Sequence, residues 1–167
     1  LCLWISGTKS SDHMKVTLSE FVSWLEELIP LSFQEDYDNS GLQVGDPGAM
    51  ISSVLLAVDV TPEVLAEAVS HGCDLVLSHH PLIFRPLRHI TGGNNSEVCV
   101  ARALRHGIAV YSTHTSFDNT ANGVSRILAE KIGLQRINVL SPLKGRLFRL
   151  VTFVPDSHAS AVRDALF

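Results

Sequence analysis

The stretch Asp74-Leu-Val-Leu-Ser-His-His-Pro81 decides the fold, because a short apolar run ends there in two adjacent histidines and a proline. An apolar run of this length with a turn signal at its end is typical of a buried parallel strand. Pro81 lacks the N–H that would continue a sheet ladder, so the strand must end before it. Open α/β sheets bind ligands at the carboxyl ends of their strands. The stretch therefore predicts an α/β fold with His79 and His80 at the functional edge of the sheet.

Two neighbouring imidazoles at such an edge favour a metal site. Neutral imidazole is a common ligand of zinc, iron and related ions, and neighbouring donors can serve two ions at once. Adjacent side chains of a strand point to opposite faces, so His79 and His80 can converge only beyond its last residue. A second interpretation stays open for this pair, in which one histidine is solvated and the other binds backbone at a turn.

A second run, Ile108-Ala-Val-Tyr-Ser-Thr-His-Thr-Ser-Phe-Asp118, repeats the pattern of an apolar strand that leads into histidine and then a carboxylate. Parallel strands joined by a helix end on the same side of a sheet, so we expect His114 and Asp118 to lie beside the first two histidines. A carboxylate among imidazoles suits a two-metal centre, where it bridges ions about 3.5 to 4 Å apart. Asp118 is the expected bridge, and its alternative role is an Asx-turn into the residues that follow.

Capping signals on either side of these runs place helices between the strands. Thr17-Leu-Ser-Glu20 has the spacing of a capping box that opens an amphipathic helix. Val54–Asp59 is a third strand candidate, and Thr61-Pro62 after it provides an N-cap and a first-turn proline. His71-Gly72 and His106-Gly107 each mark a helix end with a glycine cap before the next strand. The order strand, helix, strand, helix, strand supports an α/β domain.

Two loops flank the expected ligands. The segment Glu35-Asp-Tyr-Asp-Asn-Ser-Gly-Leu-Gln-Val-Gly45 is rich in acidic and amide side chains. It either lines a pocket or forms a solvated turn before a short strand, and its composition favours the solvated turn. The loop after His80 carries Arg85 and Arg88, which either hold an anionic substrate or remain exposed without a ligand.

Composition limits the classes of function. The chain has 167 residues, enough for one sizeable core, and 13 basic against 17 acidic residues give a net charge of −4. Since no basic run with interleaved aromatic residues occurs, nucleic acid is not a favoured partner. The three cysteines are scattered, without metal-binding or disulfide spacing, which favours a reducing compartment and a cytoplasmic location. The apolar start of the chain is too short to predict a membrane span.

Four segments then occur in a fixed order along the chain, namely Glu35–Gly45, Asp59-Val-Thr-Pro-Glu-Val64, His79-His-Pro-Leu-Ile-Phe84 and Tyr111-Ser-Thr-His-Thr-Ser-Phe-Asp118. Together they resemble the Nif-three-like family, also called the GTP cyclohydrolase I type 2 homologue family, over about residues 14–145. The resemblance implies a three-layer α/β sandwich with a mixed, largely parallel sheet. It also implies a toroidal, commonly hexameric homo-oligomer.

The resemblance also assigns a site. It implies a centre of two divalent metal ions, which zinc, iron, manganese or nickel could provide, with His79, His80 and Asp118 as ligands. His114 is implied as a further ligand or a close partner of one. The expected function is that of a metal-dependent hydrolase acting on a nucleotide, a phosphoester or a cyclic amide-like small molecule. The alternative is a non-catalytic metal-binding protein that serves as a regulatory or interaction scaffold.

The resemblance finally predicts how the chain is divided. Residues 1–13 are expected to be a leader outside the domain, 14–145 the amino-terminal half of the metal-binding domain, and 146–167 the truncated start of an inserted or second domain. The family pattern includes a histidine and a glutamate four residues apart near the carboxyl end of a longer chain, and this sequence has neither. We therefore expect an incomplete fold that is inactive alone.

Overall fold

The computed structural model describes residues 3–5, 15–142 and 151–166. These residues form two compact units, with the division between Leu134 and Gln135. The strands of the first unit are β1 (Leu3–Ile5), β2 (Val16–Thr17), β3 (Gly41–Val44), β4 (Met50–Ile51), β5 (Val54–Ala57), β6 (Leu75–Ser78) and β7 (Ala109–Ser112). Its helices are α1 (Leu18–Leu28), α2 (Pro62–His71), α3 (Asn95–His106), α4 (His114–Asp118) and α5 (Val124–Lys131).

A mixed sheet forms the centre of the first unit. Its strand order is β1-β5-β6-β7-β3, and β2 pairs with β4 in a separate two-stranded ribbon. Strand β6 pairs in parallel with β5 and with β7, whereas β1 and β3 pair antiparallel at the two edges. The predicted mixed α/β sheet is thus confirmed, with its parallel pairings at the centre. Helices α2 and α3 connect the parallel strands, as the alternation of elements predicts.

Helices cover both faces of this sheet because alternate strand residues point to opposite sides. On one face, Val76 and Val110 belong to a buried cluster with residues of α2 and α3. On the other face, Leu75 and Tyr111 belong to a second buried cluster with residues of α1. The strands are apolar on both sides for this reason, and the result is the expected three-layer sandwich.

The helix boundaries follow the capping signals in the sequence. Thr17 Oγ1 accepts a hydrogen bond from the Glu20 N–H, and the Glu20 carboxylate accepts one from the Thr17 N–H, which completes the capping box. Thr61 caps α2 through its side chain. Gly72 and Gly107 close α2 and α3 with φ of +64° and +65°, a conformation that glycine adopts without steric cost. Each closure turns the chain directly into the next strand.

The amino-terminal segment differs in part from its expected position outside the fold. Leu3–Ile5 pairs with Val54–Leu56 as an antiparallel edge strand, so three residues of this segment belong to the sheet. A short apolar run satisfies the free edge of β5, which would otherwise leave backbone groups unpaired. The expected boundaries near residues 13 and 145 lie within segments 6–14 and 143–150, which are outside the described residues, and remain predictions.

The second unit is described in part. It contains a 3-10 turn at Asp156–His158 followed by α6 (Ala159–Leu166). The start of an inserted or second domain expected at residues 146–167 lies partly on residues 143–150, which are outside the described residues, and residues 151–155 have no regular secondary structure. Across the described part of the chain, every helix is too short or too polar to cross a membrane.

Candidate metal centre

The candidate ligands lie where β6 and β7 end side by side. Ser78 and Ser112, the last residues of the two strands, are partners in the parallel register. Beyond them the pairing continues, since the His114 N–H donates to the His79 carbonyl at 2.9 Å. His79 and His80 therefore follow one strand, and His114 follows its neighbour, at the same carboxyl edge of the sheet.

Three imidazole rings meet at this edge. The ring centroids of His79 and His80 are 4.9 Å apart, and that of His114 lies 5.6 Å from His79 and 5.8 Å from His80. His114 and Asp118 are four residues apart in α4, which places both on one side of that helix. Asp118 Oδ2 consequently approaches His79 Nε2 to 3.8 Å. The structure thus brings together all four residues that the sequence singles out.

Carboxylates orient two of these rings. His80 Nδ1 lies 2.7 Å from Asp59 Oδ1, and His114 Nδ1 lies 2.7 Å from Asp38 Oδ1. Because an ionised carboxylate can only accept, each Nδ1 carries a proton, and in the neutral form of either ring the lone pair is then on Nε2. Histidines that bind metals commonly donate their second ring N–H to a carboxylate, which fixes the ring and makes it a stronger ligand.

The carboxylate of Asp38 is more buried than that of Asp59. Its side chain has no exposed surface, and burial alone would raise its pKa. Hydrogen bonds from Thr115, His114 and Ser40 outweigh that effect, so the pKa of Asp38 falls to about 2. Backbone N–H groups of Asn39 and Thr115 add two further donors, at 2.6 and 3.1 Å. Asp38 therefore stays ionised and fixed in place beside His114.

The protonation of His79 also suits a ligand. Burial lowers the pKa of His79 below its ordinary value, and the nearby charge of Asp118 only partly opposes this effect. A histidine must be neutral to bind a metal ion, so a lowered pKa favours the binding form at neutral pH.

Buried hydroxyl groups support the turn beneath the rings. Ser78 Oγ lies 2.8 Å from Ser112 Oγ and donates to the His80 carbonyl at 2.9 Å. Both serines are almost completely buried. Their bonds fix the backbone of His80 at the point where it leaves the sheet. His114 itself has φ of +28°, a strained value for a residue with a side chain, and such strain is concentrated at functional sites.

Two residues of this site were not predicted from the sequence, and the environment of one loop was predicted wrongly. Asp38 and Asp59 were not among the predicted site residues, although Asp59 follows a parallel strand at the same edge and could have been found by that signal. The segment Glu35–Gly45 was expected to be a solvated turn, and that expectation is wrong, because Asp38 anchors it against α4. Composition alone could not reveal this, since Asp38 and His114 are 76 residues apart.

The cluster is not a complete set of ligands by itself. Among residues 15–142 and 151–166, no three His, Cys, Asp or Glu side chains form a group that could hold a metal ion. The donor chemistry nevertheless fits a divalent ion, because neutral imidazoles with carboxylate partners are what such ions prefer.

Comparisons with known proteins bear on this arrangement. A sequence model of the Duf34/NIF3 (NGG1p interacting factor 3) family matches residues 16–165. A protein of Halalkalibacterium halodurans, named GTP cyclohydrolase 1 type 2 homolog, is 38% identical over 155 residues, which are 92% of this chain and 42% of that protein. A Bacillus subtilis protein of the same name is 34% identical over 148 residues, covering 88% of this chain and 40% of that protein.

A solved structure agrees with these sequences. The crystal structure of a Bacillus cereus protein related to NIF3 superposes with a TM-score of 0.74 at 34% identity, over 91% of this chain and 42% of that one. The chain therefore spans about two fifths of the length of the relatives that it matches.

Proposed function

The chain belongs to the Duf34/NIF3 family, and from its clustered imidazoles we propose that it supplies part of a divalent-metal centre with hydrolytic chemistry. One observation carries the proposal: His80 and His114 each donate Nδ1 to a carboxylate at 2.7 Å, with their rings 5.8 Å apart. In the neutral form of both rings this arrangement puts the two lone pairs on Nε2 atoms at one edge of the sheet. Side-chain pairs of this kind are typical of rings prepared for metal ions.

The ligands proposed are His79, His80, His114 and Asp118. A catalytic zinc site typically has three protein ligands and one open position, so these four donors suffice in number for one ion, and their side chains must draw closer together than they lie here to hold it. The second ion of a dinuclear centre requires further donors, and Asp118 is proposed as the bridge between the two. Because the chain spans about two fifths of its relatives, those further donors are proposed to come from the remainder of the full-length proteins.

A bound divalent ion would lower the pKa of a coordinated water and polarise an oxygen of the substrate. The residues of this chain would prepare the site for that step. Asp38 and Asp59 hold His114 and His80 in one tautomer and one orientation. The burial of His79 keeps its ring neutral at pH 7.

The substrate class proposed is a nucleotide, a phosphoester or a cyclic amide-like molecule. It rests on the name GTP cyclohydrolase 1 type 2 homolog that two relatives carry. The loop that follows His80 carries Arg85 and Arg88, both exposed, and we propose that either contacts an anionic group of the substrate.

A scaffold without catalysis is the second candidate. The family description, NGG1p interacting factor 3, names an interaction with another protein, and this favours a metal-binding protein that recruits partners. A homo-oligomer, toroidal and hexameric in the full-length protein, is compatible with either function and is likewise a proposal.

A turnover screen distinguishes the two candidates. The chain and a full-length relative would be loaded with Zn²⁺, Mn²⁺ or Fe²⁺ and incubated with nucleotides, phosphoesters and cyclic amides. The hydrolase proposal predicts metal-dependent turnover by the full-length protein that His80→Ala abolishes. Tight metal binding by the full-length protein without turnover of any substrate would overturn the hydrolase proposal and leave the scaffold.

A further inference from the structure

A pair of side-chain amides holds the loop that follows His80. The Ile83 N–H donates to Gln43 Oε1 at 2.7 Å, and the Ile83 carbonyl accepts from Asn39 Nδ2 at 2.5 Å. Gln43 Nε2 donates in turn to the Asn39 carbonyl at 2.5 Å, which closes a ring of three hydrogen bonds. We call Asn39 and Gln43 the amide clamp.

The amide clamp pairs the backbone N–H and carbonyl of Ile83, as a neighbouring strand would. Ile83 lies outside the strands and helices of the described residues, yet both of its backbone polar groups are paired. Gln43 belongs to β3, and Asn39 is adjacent to Asp38, which is itself bonded to His114. The clamp therefore ties the loop after His80 to the sheet and to the carboxylate that orients His114. A loop of this length is otherwise expected to adopt several conformations.

Phe84 directly follows Ile83, so the clamp fixes the backbone next to it. Its ring centroid lies 6.2 Å from that of His114, with the two planes at 86°, an edge-to-face contact. About half of Phe84 remains exposed, at 46%. A single exposed apolar side chain is common on protein surfaces and does not by itself indicate a binding site. Here the neighbouring backbone is fixed at both polar groups, and the ring contacts a candidate metal ligand.

We propose that Phe84 is a specificity-determining wall of the candidate metal centre, and that Asn39 and Gln43 are the positioning residues that hold it there. The ligand class is a metal-binding anion that carries an aromatic group next to its metal-binding atoms. The exposed part of the Phe84 ring would stack on that group while the anion reaches the ions. The inference rests on the proposed function and adds a substrate feature to it.

The relative affinity of two hydroxamates tests whether Phe84 forms such a wall. Acetohydroxamate and benzohydroxamate share one metal-binding group and differ in a methyl or a phenyl substituent. With the zinc-loaded 167-residue chain, we expect benzohydroxamate to bind the wild type more tightly than acetohydroxamate. Phe84→Ala should reduce that preference by about two- to tenfold, the range for one aromatic contact. Gln43→Ala should reduce it in the same direction, while Phe153→Ala, the same kind of change at an exposed phenylalanine of the second unit, should leave it unchanged.

Amide hydrogen exchange tests the clamp without metal. In the metal-free wild type the Ile83 amide should exchange slowly, and Gln43→Ala should speed its exchange without affecting the Val76 amide of the central strand. Gln43→Glu, which keeps the acceptor for Ile83, should restore part of the protection. Equal exchange in the wild type and in Gln43→Ala would refute the clamp, and an unchanged hydroxamate preference in Phe84→Ala would refute the wall. A wild type that binds no zinc would refute the proposed function and with it the wall, while the exchange result would still decide the clamp.

Discussion

Replacing Asp38 by asparagine is the most informative perturbation of the candidate site. The carboxylate has no exposed surface and accepts hydrogen bonds from His114 and Thr115, among others. Asparagine has nearly the same shape, but it has one acceptor oxygen and no charge. The substitution thus removes the ionic part of the contact with little change in packing.

The magnitude follows from the pKa of Asp38. Its pKa falls from 3.8 to about 2 on folding. A shift of this size corresponds to about 2 kcal/mol of stability at neutral pH, which the folded state loses when the carboxylate is absent. Because the folded pKa is the lower one, this stability is fully present above pH 4 to 5. It is lost as the pH falls towards 2.

Urea denaturation at two pH values measures the effect. At pH 7, Asp38→Asn should unfold with a free energy about 2 kcal/mol below that of the wild type. At pH 3 the difference should shrink by about 1 kcal/mol, since part of the wild-type carboxylate is protonated there in the unfolded state and less so in the folded state. Metal affinity should fall about 10- to 100-fold, the usual effect of losing a carboxylate that orients a ligand.

Asp59→Asn is the matched control. Asp59 bonds to His80 at the same distance of 2.7 Å, but its side chain is 63% exposed. We expect this variant to lose metal affinity while its stability stays within about 0.5 kcal/mol of the wild type. Equal stability of the wild type and Asp38→Asn at pH 7, or a difference that does not change between pH 7 and pH 3, would show that the ionised Asp38 carboxylate does not stabilise the fold.

Two further variants, each with a control, are compared by urea denaturation. One tests the buried hydroxyl groups beneath the histidines, and the other tests the hydrophobic core. Ser78→Ala should lower the free energy of unfolding by about 1 to 3 kcal/mol, because it leaves buried groups near Ser112 without their partner, whereas Ser70→Ala on an exposed helix surface should change it little. A similar loss in both serine variants would contradict this. Leu65→Ala should cost about 2 to 5 kcal/mol, since Leu65 is fully buried, and Leu104→Ala, at a position 58% exposed, should stay within about 0.5 kcal/mol of the wild type. Comparable losses in the two leucine variants would show that α2 does not pack as described.

The sequence predicts the elements of this fold that depend on local signals. Thr17 and Thr61 mark helix starts, and Gly72 marks a helix end, because each acts on backbone groups within a few residues. The meeting of His79 with His114 also follows, since parallel strands joined by a helix must end at one edge. These inferences require periodicity and chain direction only.

Contacts between segments far apart in the sequence could not be predicted from such local signals. The burial of Asp38 depends on donors from α4 and from its own loop, and a polar loop has the same composition whether it is solvated or packed. The edge strand Leu3–Ile5 was missed for a related reason, because three apolar residues show no periodicity of their own. The short helix α4 was also not predicted, since five residues are too few for a helical pattern.

Metal stoichiometry is the decisive measurement for the proposed metal centre. The 167-residue chain would be dialysed against Zn²⁺, freed of excess metal and measured by elemental analysis, together with a His79→Ala, His80→Ala double variant. A His106→Ala, His158→Ala double variant, which changes two histidines outside the cluster, is the matched control. We predict at least one ion per chain in the wild type and in the control, and loss of that ion in the His79, His80 variant. A folded wild-type chain without metal, or an equal metal content in all three proteins, would show that His79 and His80 do not form a metal site in this chain.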